Sequence, residues 1–153
     1  MIPAALNKGT KSLPGLLAFV AGGALVLWSA YIHFHLWQSV GYKHIHIIGP
    51  LFLLQWIGGA VMGLLILAIR RLWIALAGIG FAISTMVGFL LCAALPKGLF
   101  NFKESWLAPY AHEAFYIEIA IMVVLAVAGA FCSVKSASLS SAGSTPTAST
   151  TGA

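Results

Sequence analysis

Four of the five histidines lie in one short stretch of the chain, where they form two His-x-His pairs, His33 with His35 and His44 with His46. Imidazole is the side chain that most often binds borderline metals such as zinc and copper. On a helix, residues i and i+2 point about 200° apart, whereas on an extended segment they share a face. We expect the second pair on the extended entry to the second helix or in its fraying first turn. On an extended entry this pair suits a single ion better than the first pair does.

His112 and Glu113 add two further candidate ligands. The possible metal ligands are then His33, His35, His44, His46, His112 and Glu113. One interpretation is that this set binds zinc or copper, and another is that two of the histidines hold a haem. A third reading is that the histidines lie at the headgroup level of a membrane, as Trp and Tyr do. His-x-His alone is a weak motif, so the pattern favours the interfacial role.

Glu118 is a sharper signal, because it lies inside an apolar segment of the chain. Ionisable residues within a bilayer are costly and suggest a functional site by default. Its role is either proton relay or ligand binding, or else a hydrogen bond that joins two helices. The candidate partners are Tyr31, His33, Gln55 and Ser84.

No catalytic motif accompanies these residues. The chain has no Gly-rich nucleotide loop and no GxSxG, CxxC or HExxH sequence, and it contains no aspartate. An enzyme would have to use glutamate and histidine alone. We therefore predict no catalytic residue and favour a protein that is not an enzyme.

The elements that must position these residues follow from composition. Only 7% of the residues are charged, against about 25% in soluble domains. Four long stretches are almost free of charge, and a spanning helix needs about 20 apolar residues. The sequence predicts an all-α bundle of four transmembrane helices in two antiparallel hairpins. The predicted spans are about 14–38, 47–69, 72–95 and 111–133.

These spans form one transmembrane domain, residues 13–134, between two tails. Residues 1–12 are a short basic N-terminal tail. Residues 135–153 are rich in Ser, Thr, Ala and Gly and predict a disordered tail. The net charge of +5 does not indicate nucleic acid, because no basic run carries interleaved aromatic residues.

The basic residues predict how the chain crosses the cell membrane. One end of the bundle carries Lys8, Lys11, Arg70, Arg71 and Lys135, and the other carries Lys43, Lys97 and Lys103. The positive-inside rule then places both termini in the cytoplasm. We interpret Arg70 and Arg71 as topology determinants that contact lipid headgroups. All histidines and glutamates share the extracytoplasmic side.

Small residues mark two helix-packing faces, Gly59 with Gly63 in the second span and Gly80 with Ser84 and Gly88 in the third. Such spacing lets helices approach closely. The expected partners are therefore the lipid bilayer and, through one of these faces, a second copy or a larger membrane complex.

Several segments resemble a group of small four-helix integral membrane proteins found mainly in actinobacteria. They are HLW at 35–37, GYK at 41–43, IGPLFLLQ at 48–55, GLFNFKESW at 98–106, and an acidic position at Glu118. The resemblance covers roughly residues 16–134. It implies a fold and a membrane location, and it assigns no activity.

The sequence thus favours an accessory or structural membrane component. One alternative is an extracytoplasmic metal-binding or transport protein that uses the histidines with Glu113 or Glu118. Another is a haem-bearing electron-transfer subunit.

Overall fold

The computed structural model describes residues 2–141, with side chains as far as Cys132. The four main helices are α1 (Leu13–His35), α2 (Ile48–Ile69), α3 (Leu72–Ala94) and α4 (Ala111–Ser141). Each is long and apolar enough to cross a membrane. The predicted all-α bundle is confirmed, since the described residues contain no strand beyond isolated bridges.

The bounds of α1 follow from its terminal residues. Ser12 caps the helix by accepting a hydrogen bond from the Gly15 N–H at 3.4 Å, and Pro14 lies in the first turn. At its other end the helix continues into a π-helical turn, Leu36–Val40. Gly41 then reverses the chain with a φ of 98°, which a glycine adopts without strain.

The segment that follows Gly41 differs from the prediction. Tyr42–His44 forms a 3-10 turn rather than an extended entry, because the His44 and Ile45 N–H groups bond back to the carbonyls of Gly41 and Tyr42. His44 and His46 therefore do not share an extended face, and the geometric argument for pairing them on one ion was wrong.

The central helix of the bundle is α1, which packs against both α2 and α4, while α3 packs mainly against α4. The helices α2 and α3 follow each other in the chain but contact each other much less. A side chain on Gly63 would start 2.7 Å from Leu27 Cγ and 3.1 Å from the Gly23 carbonyl. The predicted packing face of Gly59 and Gly63 thus serves α1 of the same chain.

The second predicted packing face is open. A Cβ on Gly80 or Gly88 would meet nothing within 4 Å. The Ser84 hydroxyl bonds to the Phe81 carbonyl of its own helix at 2.7 Å. Association with a second copy through this face stays a prediction.

The two ends of the bundle differ in structure. The end that carries residues 2–12 and the α2–α3 turn is here called the terminal end. There, the Leu72 N–H donates to the Lys8 carbonyl at 2.9 Å, and Arg71 bonds to Asn7. Arg70 and Arg71 are exposed, as lipid-headgroup contact requires. The basic tail thus packs onto this turn.

The opposite end, here the hairpin end, carries residues 36–47 and 95–110. The fourth helix begins there and continues to Ser141, beyond the predicted end of its span. Residues 142–153, the rest of the predicted disordered tail, lie outside the described residues.

Candidate functional site

A cavity of about 250 Å³ lies in the half of the bundle nearest the hairpin end. All four helices and the α3–α4 loop contribute to its wall, which is mostly apolar. The polar side chains along it include His33, Tyr42, Gln55, Thr85, Glu104 and Glu118. Ligand sites typically combine an apolar wall with a few polar groups of this kind.

Glu118 is the most unusual group in the wall. Its side chain is only 2% exposed. Oε1 accepts a hydrogen bond from the Ser29 hydroxyl at 2.5 Å. Oε2 is the one buried side-chain oxygen or nitrogen that has no hydrogen-bond partner among the described residues. The carboxyl group therefore has one satisfied and one unsatisfied oxygen in an apolar setting.

Ser29 also holds a second polar group of the cavity. The His33 Nδ1 lies 2.9 Å from the Ser29 carbonyl oxygen. A carbonyl oxygen only accepts, so Nδ1 carries the proton, and in the neutral ring Nε2 keeps its lone pair. The ring of His33 packs against Phe52, with the centroids 5.4 Å apart. One serine thus positions both a carboxyl group and an imidazole in the same wall.

Part of the cavity wall near the hairpin end is formed by a contact between two segments that are distant in the chain. The Tyr42 hydroxyl donates to Glu104 Oε2 at 2.7 Å, and the Glu104 N–H donates to the Cys92 carbonyl at 3.1 Å. Burial, and next the hydrogen bond and charge of Glu104, raise the pKa of Tyr42. Tyr42 therefore stays a neutral donor and fastens the hairpin to the α3–α4 loop.

The side of the cavity between α2 and α3 is bridged by one hydrogen bond. Gln55 donates its side-chain amide to the Thr85 hydroxyl, which in turn donates to the Phe81 carbonyl at 3.1 Å. This pair is the main polar link across a boundary that is otherwise loosely packed.

The remaining histidines do not line this cavity. The helix separates His33 from His35, as its geometry predicted, and the His35 ring lies 6.2 Å from Tyr31 and 5.4 Å from Tyr110. His44 and His46 line a shallow groove beside Pro50.

The remaining two predicted ligands lie on the first turn of α4. The His112 ring lies against Trp106, with centroids 5.7 Å apart. The Glu113 carboxyl group accepts from the Trp28 indole N–H at 3.1 Å, at an exposed position. Neither the ring contact of His112 nor the hydrogen bond of Glu113 involves another predicted metal ligand.

The predicted ligand set is therefore dispersed. Within residues 2–141, no three histidine, cysteine, aspartate or glutamate side chains form a group that could hold a metal ion. Zinc, copper and haem binding stay predictions, which elemental analysis and an absorption spectrum of the purified protein test. Cys92 and Cys132 are both buried and free.

Sequence reasoning found Glu118 but missed the residue that binds it. The hydrogen-bond partner is Ser29, and not one of the four predicted candidates. The i, i+4 spacing of Ser29 and His33 on α1 was the available signal, since such residues share a helix face. Tyr42 and Glu104 were also missed as a pair, because they come from two different loops.

The fold and the cavity define the class: a small multi-pass helical membrane protein with a partly polar cavity inside its bundle. In comparisons with known proteins, no family model, curated protein or solved structure matches the chain.

Proposed function

We propose that this protein is a non-enzymatic membrane component that binds a small membrane-soluble molecule in the cavity beneath its hairpin end. The observation that carries this proposal is the unpartnered Oε2 of Glu118 in the cavity wall. A bound molecule with one polar group supplies the missing hydrogen bond, and its hydrocarbon part fits the apolar wall.

The alternative role for Glu118 is helix packing alone, and the geometry argues against it. A carboxyl group that serves only to join helices gains most when both oxygens are satisfied. Here an unsatisfied buried oxygen costs about 1–3 kcal/mol. A buried polar group that lowers stability in this way is expected where a bound ligand supplies the missing hydrogen bond.

We also propose that the hairpin end faces the extracytoplasmic side, with both termini in the cytoplasm. This proposal rests on the excess of Lys and Arg at the terminal end. Single cysteines introduced by Lys8→Cys and Lys97→Cys, in a background with Cys92→Ala and Cys132→Ala, test it. A membrane-impermeant maleimide applied to intact cells should label only the Lys97→Cys variant, and the opposite pattern overturns this orientation.

Photoaffinity labelling tests the binding function. Medium-chain probes that share one diazirine-bearing alkyl chain carry an alcohol, a methyl ketone, a carboxylic acid or a methyl ether, with the plain hydrocarbon as reference. Mass spectrometry then locates the labelled residues in protein purified in mild detergent. We expect at least one polar probe to label the cavity wall saturably and more strongly than the hydrocarbon does.

Two matched variants make the test specific. Glu118→Leu should lower the saturable labelling about tenfold, as expected for the loss of one or two hydrogen bonds. Glu113→Leu makes the same change on the same helix but at an exposed position, and labelling should persist. The proposal is overturned if no polar probe exceeds the hydrocarbon, or if both variants label as the unaltered protein does.

A further inference from the structure

We infer that the ligand is a lipophilic alcohol whose hydroxyl lies between Glu118 and His33 and whose hydrocarbon chain leaves the cavity between α2 and α3. This inference rests on the proposed binding function and adds a ligand class and a route.

Two polar groups of the wall, Glu118 and His33, select the head group. No lysine or arginine lines the cavity in the described part of the chain, so a charge on Glu118 would stand without a cation, and an unpaired buried charge is costly. The neutral carboxyl group carries a proton on Oε2 and donates it. His33 Nε2, with its lone pair, accepts.

A hydroxyl group matches this pair because one oxygen both donates and accepts. It donates to His33 Nε2 and accepts from the Glu118 carboxyl proton. A ketone or an ether only accepts, and it leaves the imidazole without a donor. Leaving one buried partner unpaired weakens binding about tenfold or more.

The size of the cavity limits how much of the ligand it encloses. Its volume of about 250 Å³ is smaller than the roughly 300–1,000 Å³ of sites that enclose drug-sized ligands. The space accommodates a head group and the first part of a chain, and not a whole lipid. A longer hydrocarbon chain must therefore extend out of the bundle.

The α2–α3 boundary provides that opening. Leu51 and Leu54 of α2 line the cavity and are 41% and 66% exposed. Across from them on α3, Gly88 also lines the cavity, and a Cβ there would meet nothing within 4 Å. The two helices pack loosely against each other. These residues form an apolar opening, here called the lateral opening, at the depth of a membrane span.

A second part of the wall reaches the surface at Pro109 and Tyr110, which are exposed at the hairpin end. That edge lies near the headgroup level, where Tyr is favoured. A hydrocarbon chain is more stable in the bilayer interior than at this level. The lateral opening is therefore the route for the chain.

Gly88 offers a place to close the lateral opening from α3, because a Cβ there would meet nothing within 4 Å. Gly88→Leu places a side chain in the opening, and Gly80→Leu is the matched control, because it lies on the same helix, has equally open space and does not line the cavity. Circular dichroism and gel filtration establish that both variants fold. If Gly88→Leu does not fold, Leu54→Trp closes the same opening from α2.

The probes carry the same alcohol, methyl ketone and methyl ether groups and the same diazirine as above, but each is used in a short-chain and a long-chain form. We expect the alcohol to compete for the cavity site at a concentration about tenfold lower than the ketone or the ether requires. In Gly88→Leu, long-chain alcohol labelling should fall about tenfold, while short-chain labelling and the Gly80→Leu control stay unchanged.

Three other outcomes are possible, and each overturns a different part of the proposals. A ketone or an ether that binds as well as the alcohol removes the hydroxyl assignment and leaves the binding function intact. Equal long-chain labelling in Gly88→Leu and Gly80→Leu removes the lateral route. If no polar probe labels the cavity at all, the proposed function fails, and this inference fails with it.

Discussion

The Ser29 hydroxyl of α1 donates a hydrogen bond of 2.5 Å to the Glu118 carboxyl group of α4, and this bond joins two helices inside the apolar core. It satisfies one oxygen of the carboxyl group, while the other has no partner among the described residues. A polar group that is held firmly and left half satisfied is suited to a ligand. Four predictions test this arrangement and the packing around it.

Replacing Glu118 with leucine should not destabilise the bundle. Glu118→Leu removes the unsatisfied oxygen, which costs about 1–3 kcal/mol, and keeps a similar volume. Ser29 can then bond to a carbonyl of its own helix. We expect the thermal unfolding temperature in detergent to stay equal or rise, while saturable ligand labelling falls about tenfold. A clear fall in that temperature would show that Glu118 serves helix packing.

Removing the hydroxyl of Ser29 should have the opposite effect on stability. Ser29→Ala leaves both carboxyl oxygens of Glu118 without a partner, so we expect a loss of about 1–3 kcal/mol. Ser84→Ala is the control, because its exposed hydroxyl bonds only within α3; we expect a change within about 0.5 kcal/mol. Equal unfolding temperatures for the two variants would contradict the assigned role of Ser29.

Two glycines should respond in opposite ways to the same substitution. Gly63→Ala brings a methyl group 2.7 Å from Leu27 Cγ at the α1–α2 contact, and such overpacking costs about 1–3 kcal/mol. Gly80→Ala adds the same group in open space, where alanine gains about 0.5–1 kcal/mol in helix propensity. Thermal unfolding in one detergent compares the two variants. An unchanged unfolding temperature for Gly63→Ala would contradict a close α1–α2 contact at this residue.

Stability should depend on pH through Tyr42. Burial and the nearby Glu104 raise the pKa of its phenol, so the folded state keeps a proton that the unfolded state releases above about pH 10. This contribution is fully present below that pH and is lost as the pH rises through the folded-state pKa.

Tyr42→Phe removes both the titrating group and its bond to Glu104. We expect the variant to be less stable than the unaltered protein near pH 7, with the difference shrinking above about pH 10. Unfolding temperatures of the variant and of the unaltered protein, measured from about pH 7 to above about pH 10, check this prediction. Tyr31→Phe, at an exposed position, is the control, and a pH-independent difference between Tyr42→Phe and the unaltered protein would count against the linkage.

The helices of this protein could be predicted from its amino-acid sequence alone. Four apolar runs separated by charged or turn-forming residues fix where the helices lie, because a bilayer requires each span to satisfy its own backbone hydrogen bonds. Gly41 marked the first reversal, and the helical period separated His33 from His35. Glu118 was identified because a carboxyl group in an apolar span is costly.

Which residues contact each other across the bundle depends on how the helices pack. All faces of these helices are apolar, so hydropathy cannot say which face points inward, and close packing at Gly63 and Gly23 sets the rotation of α1 against α2 instead. That rotation brings Ser29 to Glu118, 89 positions away in the chain, and Tyr42 to Glu104, 62 positions away. Contacts at such separations depend on how helices pack, and no local pattern of residues encodes them.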